Sequence, residues 1–290
     1  MKQANCDTRN RFDRPIFIIS SPRSGSTLLF ETLEEAPDLF TTGKESHRLI
    51  EGIPGLFPAE RGWDSNRLTA ADATDERIER LAGAFVEKLV DRSGAPPQGR
   101  FRMLEKTPKN ALRIPFFNAA WPDSLFVYLH RDVRETLSSM MEAWVSGRFR
   151  TYPKLPGWQG PAWSLLLVPG WRQLNGRPLA EIVARQWAIT TNQILDDLER
   201  IGTGRVIRVS YSQFLAKPMP VIEALAASLG LAWDRPLGAD LPLSRTTVSR
   251  PGKDKWRQIE RVIEAVLPIV EQADLRAKAF LDAARPLHVA

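Results

Sequence analysis

The sequence predicts an α/β domain with a central parallel sheet of about four or five strands flanked by helices. Two observations carry this reading. Short apolar runs alternate with amphipathic helical stretches along most of the chain, as strand–helix–strand units require. The first of these runs, in residues 14–33 (RPIFIISSPRSGSTLLFETL), passes through a loop of small residues directly into a helical pattern. In parallel sheets of this kind ligands bind beyond the carboxyl ends of the strands. The chemically distinctive segments all begin at such ends.

Taken in order, Ile16, Phe17, Ile18 and Ile19 read as a buried strand, SSPRSGST as a tight loop and the following residues as a helix. Consecutive loop amides and the helix dipole make this a cradle for an anion. The loop departs from Walker A, which needs GxxxxGK[ST], because Arg23 precedes Gly25 and Ser26 and Thr27 follow it. Ser24, Gly25, Ser26, Thr27 and Leu28 offer backbone donors, Ser26 and Thr27 add hydroxyls, and Arg23 adds a permanent charge that can fork onto oxyanions.

Residues 38–42 form a short second strand. GKESHRLIEGIPG after it mixes charges with glycine and proline, and reads as a loop or broken helix over a site. Helical spacing of Ile78, Leu81, Phe85 and Leu89 predicts a helix over 74–91. FRMLEK (101–106) is a strand ending in KTPKN, 110–121 a helix, and SLFVYLHRD (124–132) a strongly apolar strand. A helix over 132–146 follows, capped by Asp132. Ser139 lies about two turns along it and so returns to the face that starts beside Arg131. An arginine at a strand tip and a hydroxyl on the adjacent helix can hold one phosphate. Residues 143–180, rich in Trp, Pro and Gly, are too long for an ordinary connection and are expected to form a substrate-covering insertion. Helices over 179–201, 220–229 and 255–281 and a strand over 205–210 complete the chain.

Composition bounds the rest. At 290 residues the chain is expected to be a single domain, with residues 1–13 a flexible N-terminus. No apolar run approaches the roughly 20 residues of a membrane span, and the polar N-terminus lacks a signal core. The single Cys6 excludes an internal disulfide, and a cytoplasmic protein is the simplest account. The net charge of +6 comes from basic residues spread along the chain, which fits a discrete phosphorylated ligand better than nucleic acid. His47, His130 and His288 have no metal-ligand spacing, and no metal is expected. His130, inside an apolar strand, reads as a packed, hydrogen-bonded side chain. Trp144, Trp158, Trp163, Trp171 and Trp187 either line an acceptor pocket or, as is commoner at such spacing, belong to the core.

PRSGSTLL after one strand and R-x7-S after a later one resemble the sulfotransferases that use 3′-phosphoadenosine 5′-phosphosulfate (PAPS). The resemblance implies that the first loop binds the 5′-phosphosulfate and that Arg131 and Ser139 bind the 3′-phosphate. VSYSQFLAKP looks like the family's next strand and helix, which would put Tyr211 near the adenine. VSRPGKDKW looks like its closing loop, with Arg250 and Gly252 on the 3′-phosphate and Lys253 assisting. Four short motifs in this order span residues 16–256, and they imply a fold related to P-loop nucleotide enzymes.

Sulfuryl transfer needs a base for the acceptor proton and cations around the sulfate and the leaving phosphate. Glu45 and His47 are the candidate bases. The segment around them is similar to the tyrosylprotein and polyketide-chain branches, whose glutamate after the second strand matches Glu45 by position. The aryl and steroid branch carries a histidine where this chain has Pro108. The resemblance implies that Lys106 bridges the sulfate and the leaving oxygen and that Ser244 hydrogen-bonds the leaving group. The product would be 3′-phosphoadenosine 5′-phosphate. A carbohydrate, lipid, peptide tyrosine or polyketide hydroxyl is an equally admissible acceptor, in a pocket built from residues 46–75 and 143–180. The oligomeric state is open. A P-loop kinase or NTPase and a non-catalytic nucleotide-binding relative are the alternatives to be tested.

Overall fold

The computed structural model describes residues 8–238, 240–249, 252 and 254–283. Five parallel strands form the central sheet in the order β2 (Leu39–Phe40), β3 (Arg102–Glu105), β1 (Ile16–Ile19), β4 (Leu125–His130) and β7 (Val206–Ser210). Alternation along the strands divides the interior in two. Phe17, Ile19, Phe126 and Tyr128 face one core, while Ile16, Ile18, Leu125, Val127 and Leu129 face the other. The second core is closed by α1 (Ser26–Leu33), α7 (Tyr211–Ala216) and α8 (Pro218–Leu229). The first lies under α3 (Asp75–Val86), α4 (Ile114–Ala120), α5 (Val133–Ser146), α6 (Leu179–Ile201) and α9 (Glu260–Asp282). No helix of the described residues is long and apolar enough to cross a membrane.

The elements that sequence periodicity predicts are present, with differences that have local causes. The helix expected over 110–121 is a 3-10 turn, Pro108–Leu112, followed by α4, because Arg113 sits at φ −127° and Pro115 begins a new first turn. Helix α3 ends at Val86, after which Val90 pairs with Thr41 through two backbone hydrogen bonds of 2.9 and 3.0 Å. The N-terminal stretch expected to be flexible is docked from Thr8 onward. Phe12 is buried beside Phe101 and Trp121, and Arg9 donates to the carbonyls of Ala119 and Ala120.

The 143–180 stretch is largely packed into the fold and lines the cavity only in part. Gly147, at φ +65°, ends α5, and an antiparallel pair of strands follows, β5 (Arg150–Tyr152) and β6 (Trp163–Ser164). Trp144, Trp163 and Trp171 are buried in an edge-to-face cluster that Trp158 covers. Their indole N–H groups donate to Gln186, to the Leu166 carbonyl and to the Trp63 carbonyl, respectively. Trp187 is buried as well. These tryptophans are core, and the insertion meets the cavity described below only through residues 148–151 and 165–166.

Candidate active site

A cavity of about 650 Å³ opens at the carboxyl ends of β1, β3, β4 and β7. Its floor is the loop between β1 and α1. Gly25 caps α1 at φ +93°, and a Cβ built there would lie 2.1 Å from the ring of Tyr211. Only glycine meets both demands, the left-handed backbone and the close approach. Arg23 also takes a positive φ, +68°. This turn leads into the N-terminus of α1, where Ser26, Thr27 and Leu28 line the cavity. Ser24 is buried with its hydroxyl 3.3 Å from that of Ser21, and its side chain does not line the cavity.

Strand β3 delivers the second group. The ammonium of Lys106, 1% exposed, donates to the Thr27 hydroxyl at 3.0 Å and to Glu45 Oε1 at 2.6 Å. It sits behind the wall that Thr27 and Glu45 present to the cavity. Glu45 Oε2 is 2.9 Å from His47 Nε2. Burial alone would push the Glu45 carboxyl up, but hydrogen bonds and charge from His47 and Lys106 outweigh it and hold the group at about 2. Glu45 and His47, two residues apart, are therefore joined as one unit at the start of α2 (His47–Glu51).

Strand β4 and helix α5 supply a third cluster. Asp132 caps α5 through the Glu135 amide, and Arg131 and Ser139 reach the same cavity, as their spacing predicts. Arg131 pairs with Glu135 at 2.9 Å, donates to the Arg23 carbonyl at 3.1 Å and lies 4.8 Å over the Tyr211 ring. The Ser139 hydroxyl is 3.3 Å from Arg23 Nε. Arg23 also donates to the Thr246 carbonyl at 3.1 Å and lies 4.6 Å over Phe149. Burial lowers its pKa, with Glu142 opposing and Arg131 and Arg148 adding to the drop.

The opposite wall is formed by described residues of 240–249 together with Gly252, Lys255 and Trp256. Ser244 lines it with its hydroxyl 3.1 Å from that of Thr247, and the Thr246 hydroxyl lies 3.1 Å from that of Thr27. Gly252 also lines it, whereas Arg250 and Lys253 lie outside the described residues. Ser249 and Lys255 both donate to Glu142 of α5. At the other end Lys109 lines the cavity, 2.8 Å from Glu51 and 4.7 Å over Tyr152. Burial brings its ammonium down to about 8, with Glu51 opposing. His130 is buried beside Tyr128 and does not line the cavity. Of the acceptor-pocket residues expected in 46–75, only His47 does; Ile50, Ile53, Leu56 and Leu68 are core.

Sequence reading missed Thr246, Glu142, Lys255 and Lys109, because tertiary contacts alone bring them in, whereas Phe149 falls within the 143–180 stretch expected to build the pocket. Glu135 was findable, since it stands four residues after Arg131 on a predicted helix.

A sequence model of the sulfotransferase family matches residues 15–235. A putative protein-tyrosine sulfotransferase of Caenorhabditis briggsae is 28% identical over 135 residues, 46% of this chain and 45% of that protein. Protein-tyrosine sulfotransferase 2 of Gallus gallus is 23% identical over 263 residues, 90% of this chain and 62% of that protein. The chain thus spans about half to two thirds of the length of these relatives. The crystal structure of a sulfotransferase from Alicyclobacillus acidocaldarius shares the fold at a TM-score of 0.53 and 14% identity, covering 94% of this chain and 97% of that one.

Proposed function

Because the chain belongs to the sulfotransferase family, we propose that it transfers the sulfuryl group of PAPS to an acceptor hydroxyl. The observation that carries this reading is the convergence on Lys106, whose ammonium joins the anion cradle at Thr27 to the carboxylate of Glu45. A cation between an anion-binding loop and a base suits a reaction that pulls a proton from one oxygen while negative charge grows on another. The cradle fits the donor's phosphosulfate: it has amides at a helix start, the hydroxyls of Ser26 and Thr27, and Arg23. Arg131 and Ser139 suit its 3′-phosphate, with Arg131 exchanging Glu135 for a ligand oxygen. Gly252 on the cavity wall is compatible with the same subsite, and Tyr211 and Leu215 offer an apolar face for a base.

When bound, PAPS supplies a sulfur electrophile whose bond to the 5′-phosphate oxygen breaks, the electron pair staying with the phosphate, as the acceptor oxygen bonds to sulfur. Glu45 takes the acceptor proton. At about 2 its carboxylate is ionised throughout the neutral range, ready to accept, but the bonds that hold it there also weaken it as a base. Lys106 drawn toward the sulfuryl oxygens relieves one of those bonds, so base strength rises as the site fills. His47 steadies the second oxygen of Glu45, and Ser244, on the opposite wall, donates to the leaving side.

Glu45→Gln tests the assignment. Turnover should fall by on the order of 10²- to 10⁴-fold, the range for losing a general base. The affinity for 3′-phosphoadenosine 5′-phosphate, read by calorimetry, should be retained. Near-normal turnover in that variant sinks Glu45 as the base. A wild-type chain that the nucleotide stabilises thermally, but that transfers sulfate to no acceptor in a broad screen of sugars, lipids, tyrosyl peptides and polyketide hydroxyls, is the non-catalytic relative instead.

A further inference from the structure

One buried carboxyl has no part in the chemistry above. Glu105, the last residue of β3, is 1% exposed, and Lys106 beside it turns the other way, toward Thr27 and Glu45. Glu105 Oε1 accepts a hydrogen bond from the Ser46 hydroxyl at 2.5 Å and another from Asn110 Nδ2 at 2.9 Å. Thr107, still in extended conformation, accepts the Ser46 backbone N–H at 2.8 Å and lies 3.2 Å from the Ser46 hydroxyl. Side chains alternate across an extended strand. Residues 105 and 107 therefore grip Ser46, while residue 106 grips Glu45. Burial pushes the Glu105 carboxyl up, with the bonds from Ser46, Thr107 and Asn110 opposing. A buried acid is expensive where an apolar side chain would pack without cost, so its presence calls for a task.

We propose that Glu105 is a positioning residue: acting through Ser46, it sets the register of Glu45 against Lys106 and the cradle. The proposal rests on the sulfuryl-transfer reading for its effect on rate, but not for its effect on the structure of the 44–48 segment. The end of β3 then works as a two-sided clamp, one face carrying the cation and the other holding the segment that carries the base. A shift of about 1 Å in a reacting group costs on the order of 10²-fold in rate, so losing the clamp is visible in kcat without touching the nucleotide subsite.

The test compares Ser46→Ala, which removes the hydroxyl, with Glu105→Gln, which keeps an acceptor oxygen for it. Hydrogen–deuterium exchange over residues 44–48 should accelerate in Ser46→Ala and stay as in the wild type in Glu105→Gln. With PAPS and a working acceptor, Ser46→Ala should lose on the order of 10²-fold in kcat while KM for PAPS and affinity for 3′-phosphoadenosine 5′-phosphate hold. Glu105→Gln should retain most of the turnover. Wild-type exchange and kcat in Ser46→Ala overturn the proposal, as does a loss of nucleotide affinity in step with kcat, which marks general damage to the site. If the wild type transfers no sulfate yet exchange still accelerates in Ser46→Ala, the clamp stands and the reaction assigned to it falls.

Discussion

Gly25→Ala is the sharpest test of the cradle. At φ +93° an alanine sits in a region that costs an L-residue about 1–2 kcal/mol. Its Cβ would also lie 2.1 Å from Tyr211 Cε2 and 2.5 Å from Cδ2, so the ring must move. Tyr211 is 5% exposed and packed in the core beside α8, where overpacking costs about 1–3 kcal/mol. Together these predict a loss of about 2–5 kcal/mol for Gly25→Ala. Tyr211→Ala on its own loses a buried ring, about 3–5 kcal/mol. In the double variant the clash has no partner and only the backbone strain remains. The two changes should therefore be non-additive by about 1–3 kcal/mol, the double variant being more stable than the sum of the singles. Urea denaturation of the four proteins measures the cycle. Strict additivity would show that Tyr211 does not pack on the glycine and would refute the steric argument for a glycine there. Because Arg131 lies over the same ring, Gly25→Ala should also weaken 3′-phosphoadenosine 5′-phosphate binding more than an equally destabilising core change does.

Three further outcomes follow from the same geometry. Glu45 titrates at about 2 in the folded chain against an ordinary 4.5, so its contribution is complete above about pH 4.5 and disappears as pH falls toward 2. A shift of that size amounts to about 2–3 kcal/mol once the carboxylate's partial exposure is allowed for. Glu45→Gln should flatten the pH dependence of the urea midpoint in that window, and an unchanged slope refutes the ion-pair account. Lys106→Met leaves Glu45 without its cation. The carboxyl should then titrate closer to its ordinary value, a shift visible by carbon-13 NMR of the labelled side chain, and turnover should fall with it; an unmoved titration would contradict the pairing. Trp163→Ala should cost about 3–5 kcal/mol in denaturation experiments, because its ring is fully buried. A cost below about 1 kcal/mol would contradict the tight packing of this ring in the core.

Local pattern carried much of this protein. An apolar tetrapeptide running into SSPRSGST allows little but a buried strand, a turn and a helix start. The eight-residue step from Arg131 to Ser139 allows little but two turns of one helix. The limits of α6 and the cap at Asp132 follow from patterns that neighbouring residues settle among themselves. What those patterns do not contain is which side chains meet across the fold. That Lys106 stands against Glu45, 61 residues away in the chain, depends on β3 lying beside β2 in the sheet. Composition left the tryptophans of 143–180 open between lining and core, and the edge-to-face packing of four rings on one another decided for core. The wall opposite the cradle is likewise tertiary: Thr246 reaches Thr27 and Arg23 from some 220 residues away, a contact no local spacing encodes. Backbone conformation is chosen largely by near neighbours, whereas a site is an agreement among the ends of separate strands, and only the assembled sheet brings those ends together.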